Sequence, residues 1–166
     1  MTDTFDEIYS THFSYVRRFL LRVAGGNEHI ADDLTQETFF QAYKSIHKFK
    51  GNCRVETWLC YIAQNVFYAY CKKEKKQKRF EELQTSAENA GYYIQDGHYL
   101  ERDVAVILSQ FPSRVSKVLS YRLFQDTPYA EISGLLGISE NSAKVIYHRG
   151  RTKLKKILEK EYGYEV

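Results

Sequence analysis

Proline occurs only twice among the 166 residues, and glycine only nine times. Because these two residues interrupt helices more than any others, long stretches of the chain run without a helix breaker. Hydrophobic residues make up 43% of the chain and aromatic residues 15%, which is enough for a packed core and excludes an intrinsically disordered protein. We therefore predict an all-α protein.

Cysteine is also scarce, and its spacing excludes two common uses. Cys53, Cys60 and Cys71 are odd in number and contain no Cys-x-x-Cys pair, which disfavours a disulfide framework or a structural zinc site. We expect buried or partly buried thiols. The five histidines are scattered and form no pair with metal-ligand spacing. We expect neither a metal nor another cofactor.

The chain lacks a hydrophobic run near the roughly 18 residues that a membrane helix needs, and its N-terminus has no signal-peptide pattern. We expect a cytoplasmic protein without direct membrane insertion. The net charge is only +3, but basic residues are concentrated in two blocks. Residues 72–79, "KKEKKQKR", hold six basic side chains and one acid, and residues 140–160 hold seven and two. Each block could be a solvated face, but together they indicate contacts with a polyanion at two places.

Helix signals divide the chain into two parts. Thr4 with Glu7 predicts a capped helix that runs to about Arg22, a second helix spans Asn27 to Lys48, and a third runs from Glu56 into the lysine block. Residues 80–98 are acidic, small and polar, which is typical of a linker. The sequence therefore predicts two small helical domains, 1–79 and 99–166, joined by a flexible linker at 80–98.

The second helix, which contains "DDLTQETFFQAY" (32–43), has two distinctive faces. One side is an ordinary apolar stripe of the kind that packs against a core. It consists of Ile30, Leu34, Thr38, Phe39, Ala42 and Ile46. The other side combines acids and an amide with two aromatic residues, Phe40 and Tyr43, where solvated polar side chains are expected.

The third helix likewise has two distinct faces. Trp58, Ile62, Val66 and Ala69 form the predicted core stripe. Beside it lie Tyr61, Gln64, Asn65, Tyr68 and Lys72, and this second row leads into the lysine block. Aromatic rings can stack on bases, amides can bond base edges and lysines can contact phosphates, so the row suits an unpaired DNA strand. Alternatively, the row is simply an amphipathic surface.

The C-terminal block, "PYAEISGLLGISENSAKVIYHRGRTKLKK" (128–156), predicts a helix-turn-helix. A short helix with Ile132, Leu135 and Leu136 as its apolar face ends at Gly137, and Ser139 caps a longer helix. The apolar stripe of that longer helix is Ala143, Ile146, Tyr147, Gly150, Leu154, Ile157 and Leu158. Its other side is basic, as expected for a helix that enters the major groove of DNA.

Three segments in this order resemble bacterial sigma factors of the ECF (extracytoplasmic function) group. They are "ADDLTQETFFQAY" (31–43), "FKGNCRVETWLCYIAQNVFYAYCKK" (49–73) and "YAEISGLLGISENSAKVIYHRGRTKL" (129–154). The resemblance covers about residues 5–79 and 100–158. It departs from the usual pattern at Gln64 and Ile146, where the family often has arginine, and at Ala69, where aspartate is frequent.

The resemblance implies three binding surfaces. The second helix would dock on the clamp helices of the largest subunit of core RNA polymerase through Asp32, Asp33, Gln36, Glu37, Phe40 and Tyr43. The loop and third helix would recognise and hold the melted −10 promoter element through Lys50, Asn52, Arg54, Tyr61, Gln64, Asn65, Tyr68, Lys72 and Lys73. The helix-turn-helix would recognise the −35 duplex through Glu140, Asn141, Lys144, His148, Arg149, Arg151 and Lys155.

By the same resemblance, the protein would start transcription of a stress or envelope regulon under the control of an anti-sigma factor. One alternative is a stand-alone helix-turn-helix regulator that binds duplex operator DNA unaided. Another is a nuclease that holds Mg²⁺ with Asp32, Asp33 and Glu37, but adjacent aspartates on a helix point about 100° apart, a poor geometry for one metal. We expect no catalytic activity in the chain itself.

Overall fold

Seven α-helices make up the two domains of the computed structural model, which describes residues 4–84 and 99–165. The N-terminal domain contains α1 (Phe5–Val23), α2 (Glu28–Ser45) and α3 (Val55–Gln84), with a 3₁₀ turn (Ile46–Lys48) after α2. The C-terminal domain contains α4 (Tyr99–Ser109), α5 (Ser113–Gln125), α6 (Tyr129–Leu136) and α7 (Glu140–Glu161). The prediction of an all-α fold with a C-terminal helix-turn-helix is confirmed.

Local side-chain chemistry explains where these helices begin and end. The Thr4 backbone N–H donates to the Glu7 carboxylate at 3.1 Å, and the Asn27 side chain accepts from the Ile30 N–H at 3.1 Å. Gly137 has a φ of 64° and ends α6, because the left-handed conformation suits glycine best. Ser139 then caps α7 by accepting from the Ser142 N–H at 3.1 Å.

The third helix extends beyond the lysine block, into the segment that the sequence predicted as a linker. It continues to Gln84, so the first five residues of the segment predicted as a linker are helical. Lys, Arg, Glu and Gln are strong helix formers, and the Gln77 amide donates to the Glu81 carboxylate one turn later. Residues 85–98 of that predicted linker lie outside the described residues.

The core of the N-terminal domain follows the predicted stripe of α2. Leu34, Thr38, Phe39 and Ala42 are buried, and Ile30 and Ile46 are half-buried. They pack with Val16 and Leu20 of α1 and with Leu59 and Phe67 of α3, all of which are buried. The amphipathic pattern of α2 therefore predicted correctly which face of this helix packs against the core.

The predicted core stripe of α3 is wrong at Ala69, which is exposed. The buried side of this helix is centred elsewhere and consists of Thr57, Leu59, Cys60, Ile62, Ala63, Gln64 and Phe67. The reason is that α3 contacts α1 and α2 in its own domain and also α4 in the other domain. A helix covered from more than one side does not show a single apolar stripe.

In the C-terminal domain, α7 packs closely on α5. The predicted stripe is confirmed, since Ala143, Gly150, Leu154 and Leu158 are buried and Ile146, Tyr147 and Ile157 are half-buried. A methyl group added to the Cα of Gly150 would lie 2.8 Å from the Leu119 Cδ1 atom and 3.1 Å from the Val115 Cγ1 atom. A larger side chain at this position would therefore press on Leu119 and Val115 of α5.

Direct contacts join the two domains. The Arg22 guanidinium is 2.8 Å from the Glu101 carboxylate, and the rings of Phe19 and Phe124 lie 6.0 Å apart in an edge-to-face arrangement. Ala105 of α4 is buried in the core of the N-terminal domain. Within residues 4–84 and 99–165, none of the helices is long and apolar enough to cross a membrane.

We predict that Gly150→Val lowers the free energy of unfolding by about 1–3 kcal/mol, because the added side chain overpacks the contact with Leu119 and Val115. Gly134→Ala is the matched control. Gly134 lies within α6, where an added methyl group would meet no neighbouring group within 4 Å. Alanine there should raise the free energy by about 0.5–1 kcal/mol. Urea unfolding followed by circular dichroism measures both. Equal stability of Gly150→Val and the wild type would contradict the close packing of α5 and α7.

Candidate functional site

The outer side of α2 is an open surface on which acids and aromatic rings are mixed. Phe40 is 55% exposed and Tyr43 is 62% exposed, although they are among the larger apolar side chains. The Lys44 ammonium lies 5.1 Å from the centre of the Phe40 ring, and the Tyr43 ring meets Phe5 edge-on at 5.1 Å. We call the exposed set the docking face. It consists of Asp33, Gln36, Glu37, Phe40 and Tyr43.

Asp32 was predicted to belong to the same surface, but its carboxylate contacts α1 instead. Its Oδ1 atom accepts from the Arg17 Nε atom at 2.6 Å, so the carboxylate joins α2 to α1. Glu37 instead accepts from Gln41 within α2, at 2.7 Å. Asp32 therefore does not lie with Asp33 and Glu37, which also removes the geometry needed for the nuclease alternative.

The loop between α2 and α3 presents three polar side chains to solvent. Lys50, Asn52 and Arg54 are all exposed. The rings of Phe49 and Trp58 stack at 4.9 Å with an angle of 29° between their planes, and this pair anchors the base of the loop. These three side chains are therefore open to solvent just before the start of α3.

The polar row of α3 is only partly open. Asn65, Lys72 and Lys73 are exposed, but Tyr61 and Tyr68 are half-buried against α5. The Lys117 ammonium donates to the Tyr61 hydroxyl at 3.1 Å, and the Tyr61 ring stacks on Tyr121 with 8° between their planes. The Tyr68 hydroxyl is hydrogen-bonded to the Ser120 hydroxyl. Two of the five residues in the row predicted to face DNA thus contact the C-terminal domain.

The surroundings shift the acidity of both tyrosines. Burial raises the pKa of Tyr61, but the hydrogen bonds from Lys117 and Asn65 outweigh it and hold that pKa below its usual value. Burial likewise raises the pKa of Tyr68, and in that case it outweighs the hydrogen bonds from Ser116 and Ser120. The pKa values of the two tyrosines therefore shift in opposite directions, although both side chains are half-buried.

Gln64 does not lie where the sequence predicted. Its side chain is 2% exposed, and neither amide atom has a hydrogen-bond partner among the described residues. Gln64 is therefore not an open DNA contact in this arrangement. The pattern of the sequence indicated the opposite, because a polar residue beside an apolar stripe is expected to be exposed.

Between α2 and α3 lies a groove of about 750 Å³ that the sequence analysis missed. Leu34, Ile62 and Val66 contribute to its apolar lining, and lysines from both helices line it as well. These lysines are Lys44, Lys48 and Lys73. Of these three lysines, only Lys73 belongs to the basic block at residues 72–79. The positive charge around the groove is therefore larger than the two basic blocks of the sequence indicated.

The second helix of the helix-turn-helix exposes all seven residues predicted to face the −35 duplex. They are Glu140, Asn141, Lys144, His148, Arg149, Arg151 and Lys155. Arg151 and Lys155 also line a groove of about 310 Å³ that includes Arg22 of α1. Val145, which the sequence analysis did not single out, is 46% exposed on the same helix.

One arginine holds the two helices of this motif together. The Arg122 guanidinium lies over the Tyr129 ring at 4.7 Å and near the Tyr147 ring at 5.9 Å. It also donates to the Thr127 carbonyl at 2.9 Å. Because Tyr129 belongs to α6 and Tyr147 to α7, these contacts fix the angle at which α7 projects.

The cysteines are free thiols that differ in burial, as expected. Cys60 is buried, and Cys53 and Cys71 are half-buried. Burial raises the pKa of Cys60 and of Cys71 to about 12, so both are protonated at neutral pH. Protonated thiols are poor nucleophiles and poor metal ligands.

Comparisons with known proteins show which family the two domains match. Residues 8–77 match the family model of Sigma-70 region 2, and residues 101–154 match the model of Sigma-70, region 4. The ECF RNA polymerase sigma factor SigM of Bacillus subtilis is 30% identical, over 92% of this chain and 93% of that protein. The RNA polymerase sigma factor YlaC of the same organism is 29% identical, over 95% and 94%.

A solved structure has the same fold. It is the sigma factor RpoE of Bartonella quintana, in complex with the anti-sigma factor NepR, and it matches with a TM-score of 0.55 at 18% identity, over 94% of this chain and 97% of that one. Three findings together define a class of transcription factor. They are the helical fold, the two matched regions in their order, and relatives that match over nearly their full length. This chain belongs to the ECF family of RNA polymerase sigma factors.

Proposed function

We propose that this chain is a dissociable promoter-specificity subunit that binds core RNA polymerase in the cytoplasm and directs it to promoters with −10 and −35 elements. The observation that carries the proposal is the match to both sigma regions, in order, along one chain. The chain supplies recognition only, and the polymerase supplies the chemistry. None of the observed surfaces favours a stand-alone regulator.

The docking face of α2 is the proposed contact with the clamp helices of core polymerase. Its exposed aromatic rings have the chemistry of interface anchors, because aromatic side chains contribute a large share of binding energy in protein interfaces. Asp33, Gln36 and Glu37 would then set the register of the two surfaces. Asp32 supports this face indirectly, since its ion pair with Arg17 joins α2 to α1.

The loop and the polar row of α3 are the proposed site for the melted −10 strand. Lys50, Asn52 and Arg54 are exposed at one end, and Lys72 and Lys73 at the other, with Asn65 between them. Lys44 and Lys48 add positive charge beside this path. Phosphates would lie along the cations, while bases would stack on the tyrosine rings once these are uncovered.

The exposed side of α7 is the proposed contact with the −35 duplex. Its first residues, Glu140 and Asn141, stand where a recognition helix meets base edges, and Lys144 and Arg149 follow on the next turns. The basic residues near the C-terminal end would bind phosphates, which sets register and affinity. An anti-sigma factor that covers these surfaces is the proposed regulator, by analogy with the complex of RpoE and NepR.

The function is tested by run-off transcription with the purified protein, bacterial core polymerase and a pool of genomic promoter fragments. We expect transcripts that start only when this chain is added, and their start sites will identify both promoter elements. A chain that neither activates core polymerase, nor co-elutes with it, nor competes with another sigma factor for it would overturn the proposal. A footprint on duplex DNA without polymerase would favour the stand-alone regulator instead.

We predict that the double variant Phe40→Ala with Tyr43→Ala weakens the affinity for core polymerase by about tenfold or more, because two interface anchors are removed. Phe80→Ala is the matched control. That ring is 61% exposed on the distal part of α3, outside the docking face, so its removal should leave the affinity unchanged. Titration of labelled core polymerase measures both. Unchanged affinity in the double variant would exclude this face as the docking surface.

A further inference from the structure

Arg122 lies outside the proposed DNA surface, on α5, but it is surrounded by groups that lead to that surface. Its guanidinium lies 4.7 Å from the centre of the Tyr129 ring and 5.9 Å from the centre of the Tyr147 ring. The two rings meet edge-on, with 6.1 Å between their centres. We call Tyr129 and Tyr147 the ring pair. It joins α6 to α7, with Arg122 of α5 against both rings.

Each ring of the pair also contacts a residue that is proposed to face the −35 duplex. The Lys144 ammonium lies 5.9 Å from the centre of the Tyr129 ring, within the range of about 6 Å over which a cation is attracted to a ring. The His148 ring meets Tyr147 at 5.5 Å, with 68° between the ring planes. A continuous chain of contacts therefore runs from Arg122, through the ring pair, to Lys144 and His148.

The turn between α5 and α6 fixes Arg122 from the other direction. The guanidinium donates to the Thr127 carbonyl at 2.9 Å and lies 3.1 Å from the Asp126 carboxylate. Thr127 is buried, and a hydrogen bond from a charged donor is stronger than one between neutral groups. The Asp126 side chain is 89% exposed, so its ion pair adds little. The bond to the Thr127 carbonyl therefore sets the orientation from which Arg122 contacts the ring pair.

Lys144 gains most from this arrangement, because its side chain is long and exposed. A free lysine side chain samples many rotamers and loses that freedom when it binds DNA. The contact with the Tyr129 ring restricts Lys144 before DNA arrives, so that less freedom remains to be lost. Lys144 and His148 are four residues apart on α7 and share one face of the helix, so the ring pair restricts two neighbours at once.

Arg122 itself is poorly placed to bind a phosphate. Its side chain is only 25% exposed, and its guanidinium already contacts a backbone carbonyl, a carboxylate and two rings. Arg151, in contrast, is exposed on α7. The two arginines are therefore expected to act on DNA binding in different ways.

We propose that Arg122 is a positioning residue for −35 recognition. It acts through the ring pair, which holds Lys144 and His148 where they meet the duplex, and it does not touch DNA itself. This inference rests on the proposed function and adds to its −35 site three residues that lie behind the recognition surface.

The test measures −35 discrimination by the holoenzyme, assembled from core polymerase and the full chain. Discrimination is the ratio of the affinities for a promoter recovered by run-off transcription and for the same promoter with a scrambled −35 element. Arg122→Gln should lower this ratio about tenfold. Arg122→Lys should lower it as well, because one ammonium group cannot bond the Thr127 carbonyl and cover both rings. Arg114→Gln, which changes an exposed arginine of the same helix, should leave it unchanged.

A double-mutant cycle separates positioning from general support of the fold. In a chain that carries Lys144→Ala and His148→Ala, Arg122→Gln should cause no further loss of discrimination, because the residues it positions are gone. If Arg122 only supported the angle of α7, discrimination would fall again in that background, since Asn141 and Arg149 would be displaced too. A second loss would therefore overturn the proposal.

Salt dependence separates positioning from direct contact. The slope of log affinity against log salt concentration should fall by about one in Arg151→Gln, which removes a proposed phosphate contact. In Arg122→Gln the slope should remain that of the wild type. A reduced slope in Arg122→Gln would show that Arg122 binds a phosphate and would overturn the proposal.

Unchanged discrimination in Arg122→Gln would likewise overturn it. Circular dichroism checks that each variant keeps its helical content. If Arg122→Gln does not fold, Tyr129→Leu takes its place, since it removes the ring beside Lys144 and keeps an apolar side chain in α6. Its loss of discrimination should then vanish in the Lys144→Ala background, and a loss that persists there would contradict the proposal. Run-off transcription by the wild type reports separately on the proposed function.

Discussion

The third helix is packed from two sides, and the rest of the structure depends on this constraint. Leu59, Ala63 and Phe67 complete the core of the N-terminal domain, while Tyr61 and Tyr68 meet α5 of the C-terminal domain. At 30 residues the helix is about 45 Å long, so it extends well beyond both contacts. One rigid element therefore sets the geometry of the core, the domain interface and the basic block at once.

The two sides of α3 differ in chemistry. The side that faces α1 and α2 is mostly apolar and fully buried, which stabilises the fold through the hydrophobic effect. The side that faces α5 carries the hydroxyl groups of Tyr61 and Tyr68, which are hydrogen-bonded to Lys117 and Ser120 of that helix. Polar contacts of this kind exchange readily for water or for another polar partner, because their net contribution to stability is small.

The binding surfaces are likewise segregated by charge. The docking face of α2 combines carboxylates with exposed aromatic rings, which suits a protein partner and repels DNA. The groove between α2 and α3 and the exposed side of α7 are lined with lysine and arginine, which suits phosphates. The two surfaces meet at one edge, because Glu37 of the docking face also lines the groove beside Lys44.

The sequence alone determined the helices, their caps and the orientation of those covered from one side. The stripes of α2 and α7 were predicted correctly because each helix has one buried face and one open face, so a period of 3.6 residues is visible. The order of the three motifs along the chain was sufficient to identify the family. The exposed positions of α7 follow from the same period of 3.6 residues.

Only the tertiary structure decided which partner each polar or aromatic side chain meets. It placed Ala69 on the surface and Gln64 inside, turned Asp32 towards Arg17, and covered Tyr61 and Tyr68 with α5. The physical reason is that polar and aromatic residues suit either a nucleic acid or a polar protein surface. Periodicity reports which face of a helix is apolar, whereas the partner of a polar face depends on contacts between residues far apart in the chain.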